Sequence, residues 1–319
     1  MAVTDGGGSS VVICTKDRTD DLLECIASLE AQTVPFRELV VVDASGNDHL
    51  HQILEERMRS SVLSHKYLHT EPSTTRQRNL GAELADGERL FFFDDDVVLQ
   101  PDYHEKILEA YCSPQFHNIG GVTGRELHPL AQSPFREMLN RIFLHHRTIP
   151  HGKGRLLPTG NAVLVHDPQE ISTAAVFSGF NMSFPKDVFM RHKFDENMTG
   201  YALGEDVDLT LRIGRECCLL QTPFAGILHN HSPRGRDSWR LLGEKSVVNH
   251  YYIFRKNFTP SVPRLLVLLW VEFGFSVKAF LSGMRQFSFQ ELRGVLTGYA
   301  KILTGKVTVP RHPRPVSRS

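Results

Sequence analysis

The chain has 319 residues, of which 41% are hydrophobic and 23% charged, with 36 basic and 36 acidic side chains. That length buries one large core or two modest ones, and the even charge balance excludes a nucleic-acid binder built on bulk basicity. Five cysteines with no CxxC pair do not suit a complete disulfide framework and read as free thiols of a reducing compartment.

Residues 1–10 carry no apolar signal core and read as a flexible leader. Residues 11–14 form an apolar run that predicts a strand, followed by the polar loop TKDRTDD. Asp20 or Asp21 then caps a helix whose Leu22, Leu23, Ile26 and Leu29 recur at helical spacing. Residues 39–42 predict a second strand, ending in Asp43 and the turn ASGND. A helix over 49–59, a strand over 62–69 and a helix over 76–85 stopped by Gly87 follow. Residues 90–93 predict the next strand, which ends in three aspartates. This alternation predicts an α/β fold: a doubly wound, mainly parallel sheet with flanking helices. Ligands bind beyond the carboxyl ends of such strands, where Asp17, Asp43, Asp94, Asp95 and Asp96 all fall.

Residues 125–177 hold Pro, Gly and His without a clear period and read as an insertion or lid. Order returns at FSGFNMSF and at the helical GEDVDLTLRI. After Pro260 the composition shifts to the apolar run 265–271, with nine Lys/Arg against two acids, Glu272 and Glu291. The expected organisation is a leader over 1–10, a catalytic domain over 11–259, a C-terminal helical extension over 260–305 and a basic disordered tail over 306–319. Neither GxGxxG nor a P-loop occurs, and GGVTG at 120–124 lacks their spacing, which argues against a dehydrogenase or P-loop kinase.

The sharpest chemical feature is FFFDDD. Two like charges about 4 Å apart cost on the order of 4 kcal/mol at an effective dielectric of about 20, so this cluster needs a cation, a proton or open water. Strand alternation gives Asp94 and Asp96 one face and Asp95 the other. Carboxylate oxygens suit Mg²⁺ or Mn²⁺, which also bind phosphates.

In order, VVICTKDR, VVVDASGND, RQRNLG, FFFDDD, SGFNMSF, GEDVDLTLRI and ILHNHSP resemble the family 2 glycosyltransferases, which have the GT-A fold, over residues 11–231. The resemblance implies an inverting transfer from a nucleotide diphosphate sugar to a glycan or lipid-linked acceptor hydroxyl. It implies Mn²⁺ or Mg²⁺ on Asp94 and Asp96, with Asp96 the direct ligand and His229 an additional one; His231 is the alternative. Asp43 would contact the nucleotide base, with Thr15 and Arg18 near base and phosphates; a turn-capping Asp43 is the competing reading. Ala44-Ser45 departs from the family's usual acid and serine, which puts a ribose contact in doubt. Arg78, or Arg76, would pair with phosphate or brace the aspartates, and Asp94 and Asp95 would also face the donor. Asn181 would lie at the donor–acceptor junction, or simply form a turn. Asp206 would be the general base and Glu205 its support, against the plainer reading of both as helix N-terminal charge. Asp208 is expected to face solvent or an ion pair.

Two other readings stand beside this one. A metal-dependent nucleotidyltransferase would show a glycine-rich basic triphosphate loop, which TKDRTDD is not. A non-catalytic nucleotide-sugar-binding module would need no base at Asp206. The run 265–271 is short of the about 20 residues of a span. It predicts an interfacial helix with basic flanks, ahead of a packing helix and, last, a spanning one, and so a cytoplasmic protein with peripheral membrane contact at the cytoplasmic face. No nucleic-acid partner is expected.

Overall fold

In the computed structural model, which describes residues 7–46, 49–152, 154–200, 202–232 and 237–310, the first strands and helices alternate as the apolar pattern predicts. They are β1 (Ser9–Thr15), α1 (Thr19–Glu30), β2 (Glu38–Asp43), α2 (His49–Met58), β3 (Ser64–His69), α3 (Thr74–Leu84) and β4 (Arg89–Asp94). Residues 1–6 of the expected leader and 311–319 of the expected tail lie outside the described residues. β1 starts two residues before its apolar run because two buried serines have partners. Ser9 Oγ lies 2.9 Å from His104 Nε2, and Ser10 Oγ donates to Glu38 Oε1 at 2.6 Å.

Three elements come next that the pattern does not predict: β5 (Val97–Leu99), α4 (Tyr103–Tyr111) and β6 (Ile119–Glu126). β6 contains GGVTG. A Cβ on Gly121 would come within 2.8 Å of the Phe177 and Phe184 rings, so packing demands the residue that weakens the strand signal. The segment expected as an insertion or lid holds short elements: α5 (Pro134–Ile142), β7 (Arg147–Ile149), β8 (Arg155–Leu156), β9 (Ala162–Val165) and β10 (Ser172–Thr173). Then come β11 (Asn181–Pro185), α6 (Lys186–His192), α7 (Glu205–Ile213) and β12 (Cys218–His229), followed by α8 (Trp239–Asn257), α9 (Val262–Gln286) and α10 (Gln290–Leu303).

The main sheet has the order β10-β12-β6-β11-β4-β1-β2-β3, with β5 paired to β12. β4, β1, β2 and β3 run parallel. β11 is antiparallel between β4 and β6, and β12 is parallel to β6. Alternation divides the core between the two faces. Val11, Ile13, Phe91 and Phe93 pack with residues of α1, α2 and α4, while Val12, Leu90 and Phe92 pack with α3, α6 and α7. The register sets Thr15 beside Asp43, Asp43 beside His69 and Cys14 beside Asp94, so these residues share one sheet edge. All five cysteines are free, and Cys112 is exposed.

The chain divides into two compact units. The first comprises Met1–Ala131, Thr148–Arg155 and Val163–Arg236; the second comprises Gln132–Arg147, Leu156–Ala162 and Asp237–Ser319. In the second, α8 and α10 approach closely at Gly243 and Gly294, where a Cβ would come within 2.2 and 1.9 Å of a backbone oxygen of the facing helix. α9 runs unbroken through the polar residues that interrupt its apolar run, because those residues have partners within the unit. Glu272 pairs with His250 at 2.7 Å, Ser276 lies 3.2 Å from the Tyr299 hydroxyl, and Lys278 donates to Asn140 at 2.8 Å. Among the described residues α9 alone is long and apolar enough to cross a membrane, and most of its apolar stretch is not buried.

Candidate active site

The buried phenylalanines of β4 deliver Asp94 to the strand's last position, and the chain turns at once, so the three carboxylates diverge. Asp94 stays partly open and accepts from Arg78 Nη2 at 2.9 Å. Asp95 is buried; its oxygens accept from Thr15 Oγ1 at 2.7 Å and Arg18 Nη1 at 2.9 Å. Burial still pushes its carboxyl up to about 6 against the pull of Arg18 and Thr15. Asp96 accepts from the Ser232 backbone N–H at 2.7 Å, and its other oxygen lies 3.2 Å from His229 Nε2. Burial would raise Asp96, but His229, the Ser232 N–H and Arg18 outweigh it and hold the carboxyl below its usual range. Burial likewise opposes charge on His229, and the acids around it raise its imidazole nonetheless.

Arg78 joins these acids to a second group. Its side chain is 4% exposed; Nη1 donates to Glu205 at 2.7 Å, and Nη2 donates to Asp94 and to the Gly179 carbonyl, each at 2.9 Å. Arg76, two residues earlier, faces solvent. Gly204 adopts a left-handed conformation, φ 90°, that brings Glu205 and Asp206 to the start of α7. Asp206 accepts from the Gly179 N–H at 2.8 Å and from Val207 N–H at 2.7 Å. Burial raises Glu205 well above its ordinary value, and neighbouring Asp206 adds to the rise while Arg78 opposes it. Asp206 is raised too, chiefly by burial. Asp208 is fully buried rather than solvent-facing, in an ion pair with Arg212 at 3.0 Å.

Asp43 is buried at the end of β2. One oxygen accepts from Ser45 N at 2.8 Å and Ser45 Oγ at 2.6 Å, the other from the Tyr67 hydroxyl at 2.8 Å. Asn181 is buried as well; its side-chain oxygen accepts from the Tyr103 hydroxyl and from Gly124 N–H at 3.3 Å. Both are tied into the protein, with Asp43 beside Thr15 and Asn181 beside Phe93 of β4.

β12 ends at His229, and His231 follows in a left-handed turn, φ 52°, so the two rings meet at 3.9 Å by a bend and not by strand alternation. Phe180 stacks on His229 at 4.5 Å. His231 contacts Glu126 at 3.0 Å. Glu126, Phe180 and Ser232 are site neighbours that the sequence pattern does not single out. Glu126 ends β6, inside the stretch without a readable period, and the other two lie beside motif residues and carry no signal of their own.

Asp94, Asp96 and His229 offer ligand atoms all within 4.8 Å of one another. Asp96 Oδ1 and His229 Nδ1 are buried without a hydrogen-bond partner among the described residues, since the 3.2 Å contact between Asp96 Oδ1 and His229 Nε2 lacks hydrogen-bond alignment. Two carboxylates and an imidazole with unmet acceptor capacity fit a divalent cation.

Residues 10–163 match the family described as glycosyl transferase family 2. Validoxylamine A glucosyltransferase of Streptomyces hygroscopicus subsp. jinggangensis is 29% identical over 220 residues, 64% of this chain and 50% of that protein. Glucosyl-dolichyl phosphate glucuronosyltransferase of Haloferax volcanii is 30% identical over 119 residues, 35% of this chain and 37% of that protein. The chain thus spans about half the length, or less, of these curated relatives. Among solved structures, GalNAc-T7 with UDP, GalNAc and Mn²⁺ aligns over 95% of this chain and 58% of its own, with a TM-score of 0.62 at 14% identity. The mannosyltransferase PcManGT from Pyrobaculum calidifontis, in complex with GDP-Man and Mn²⁺, aligns over 93% of this chain and 75% of its own, with a TM-score of 0.55 at 16% identity. These likenesses show the fold, which is GT-A.

Proposed function

We propose that this chain, whose residues 10–163 match glycosyl transferase family 2, is a member of that family and transfers a hexosyl or similar group from a nucleotide diphosphate sugar to an acceptor hydroxyl with inversion. The observation that carries the reading is the double engagement of Arg78, which draws the acids after β4 and those opening α7 into one site. One acid group suits the donor diphosphate side, the other the acceptor.

In this reading Asp206 takes the proton of the acceptor hydroxyl as that oxygen attacks the anomeric carbon from the face opposite the diphosphate. The bond from the anomeric carbon to the diphosphate oxygen breaks in the same displacement, and Glu205 orients the acceptor. Burial raises the Asp206 carboxyl, which suits it to hold a proton, and the N–H groups of Gly179 and Val207 oppose that rise by favouring the ionised form in which it takes one up. Thr15, Arg18, Asp94 and Asp95 face the donor, with Asp43 and Asn181 shaping its pocket from within and Arg78 bracing it. Asp94, Asp96 and His229 would hold Mn²⁺ or Mg²⁺, which when bound supplies positive charge to the leaving diphosphate. The acceptor is a glycan or a lipid-linked sugar of polysaccharide synthesis, met in the cytoplasm at the membrane's inner face; the exposed apolar surface of α9 supports that location.

The test is a panel of UDP- and GDP-sugars with Mn²⁺, read as nucleoside diphosphate release and as a thermal shift on binding nucleoside diphosphate. Release with at least one donor, abolished by EDTA and in Asp96→Ala, is expected. Undiminished release in EDTA overturns the metal assignment; neither release nor a thermal shift across the panel overturns the function.

A further inference from the structure

We infer that α5 and α9 together form one docking face for an anionic lipid bilayer. The inference rests on the membrane-side location proposed above and adds a second helix, from a segment some 130 residues earlier in the chain. On α9 the apolar residues Val262, Leu266, Leu269, Phe273, Phe280 and Met284 are solvent-exposed and recur at three, four or seven residues, one stripe along the helix. On α5 Phe135, Met138 and Ile142 are exposed at spacings of three and four. The two stripes adjoin: Trp270 Nε1 donates to the Ile142 carbonyl at 2.8 Å, and the Phe143 ring lies 5.1 Å from Trp270 and 6.0 Å from Phe273. Gly274 allows the approach, since a Cβ there would come within 2.4 Å of Phe143. Further along, Lys278 of α9 donates to Asn140 of α5. A continuous apolar patch on this scale marks an interaction surface.

Charge selects the partner. Arg136 and Arg141 on α5, and Arg264 and Arg285 near the two ends of α9, are exposed. The acids of the same helices are occupied elsewhere: Glu272 is buried against His250, and Glu137 faces Arg147 at 3.5 Å. A basic rim around an apolar face complements anionic headgroups over acyl chains. A second copy of this chain would bring like-charged rims together. A spanning α9 would have to leave α5 and α8 and carry Glu272 and Lys278 into hydrocarbon without His250 and Asn140, which is costly.

The experiment is co-sedimentation of the full chain with vesicles of phosphatidylcholine and phosphatidylglycerol, with pure phosphatidylcholine as the neutral arm. The wild type should bind the anionic vesicles, less so in high salt, and not the neutral ones. Phe135→Glu with Met138→Glu on α5, and separately Leu266→Glu with Leu269→Glu on α9, should each lower binding by about tenfold or more, given the apolar burial each pair loses. The residues are exposed, so the unfolding midpoint and nucleoside diphosphate release should stay unchanged. Loss with the α9 pair alone overturns the joint face and leaves a C-terminal membrane contact standing. Wild type that stays in the supernatant overturns membrane contact itself. Concentration-dependent dimers broken by both pairs, without vesicle binding, assign the face to a second copy instead. Nucleoside diphosphate release, measured separately, decides the transferase reading in every case.

Discussion

The two compact units differ in how many acids they gather around each cation. In the first, Asp94, Asp95, Asp96, Glu205 and Asp206 gather around Arg18, Arg78 and His229, more acids than cations, and burial raises three of the five carboxyls. In the second, polar groups meet in small sets without an excess of acid: Glu272 lies against His250, and Lys278 donates to Asn140 and lies 3.1 Å from the ring of His145. A structural polar group needs a single well-placed partner. An excess of carboxylates destabilises the protein until a cation or a proton arrives, and such excess collects where chemistry is done. The contrast makes the first unit the place to look for ligand-linked stability and the second the place to expect none.

The largest effect should come from Asp206→Asn, which should lower turnover by about 10²- to 10⁴-fold while nucleoside diphosphate affinity holds, read by steady-state kinetics against a binding isotherm. A normal rate would reduce Asp206 to a helix-end charge. Next, Arg78→Met strands Asp94 and Glu205 without their cation and should cost about 3–5 kcal/mol in urea unfolding of the metal-free protein. Adding Glu205→Gln should return part of that loss; if it returns nothing, the acids are not what Arg78 neutralises.

The pH dependence sharpens the same point. Glu205 and Asp206 have folded values above their ordinary 4.5 and 3.8, so the folded state holds their protons longer than the unfolded one. Their contribution to stability is therefore complete below pH 3.8 and is lost as pH rises through the raised values. Glu205→Gln should flatten the fall in Tm between pH 4.5 and neutrality, and a parallel curve in the variant would remove Glu205 as its source. The smallest effect is expected at the matched pair: Glu272→Gln keeps an acceptor for His250 and should cost about 1 kcal/mol or less. A loss as large as that of Arg78→Met would erase the difference between the units.

Sequence patterns are legible where the forces are local. Unbroken apolar runs announce β1, β2 and β4, and the acids directly after the runs of β2 and β4 fall at the sheet's carboxyl edge. The helix opened by Glu205 and Asp206 followed from apolar spacing in the same way. β6 was hidden because close packing at Gly121 requires the residue type that reads as a turn, and with β6 went Glu126. The choice of Arg78 over Arg76 depends on which side of α3 faces Asp94 and Glu205, acids whose positions only the closed sheet and the Gly204 turn establish. The meeting of α5 with α9 is of the same kind. Residues more than a hundred positions apart meet only through packing, and no local periodicity records which partner a buried charge or an apolar stripe will find.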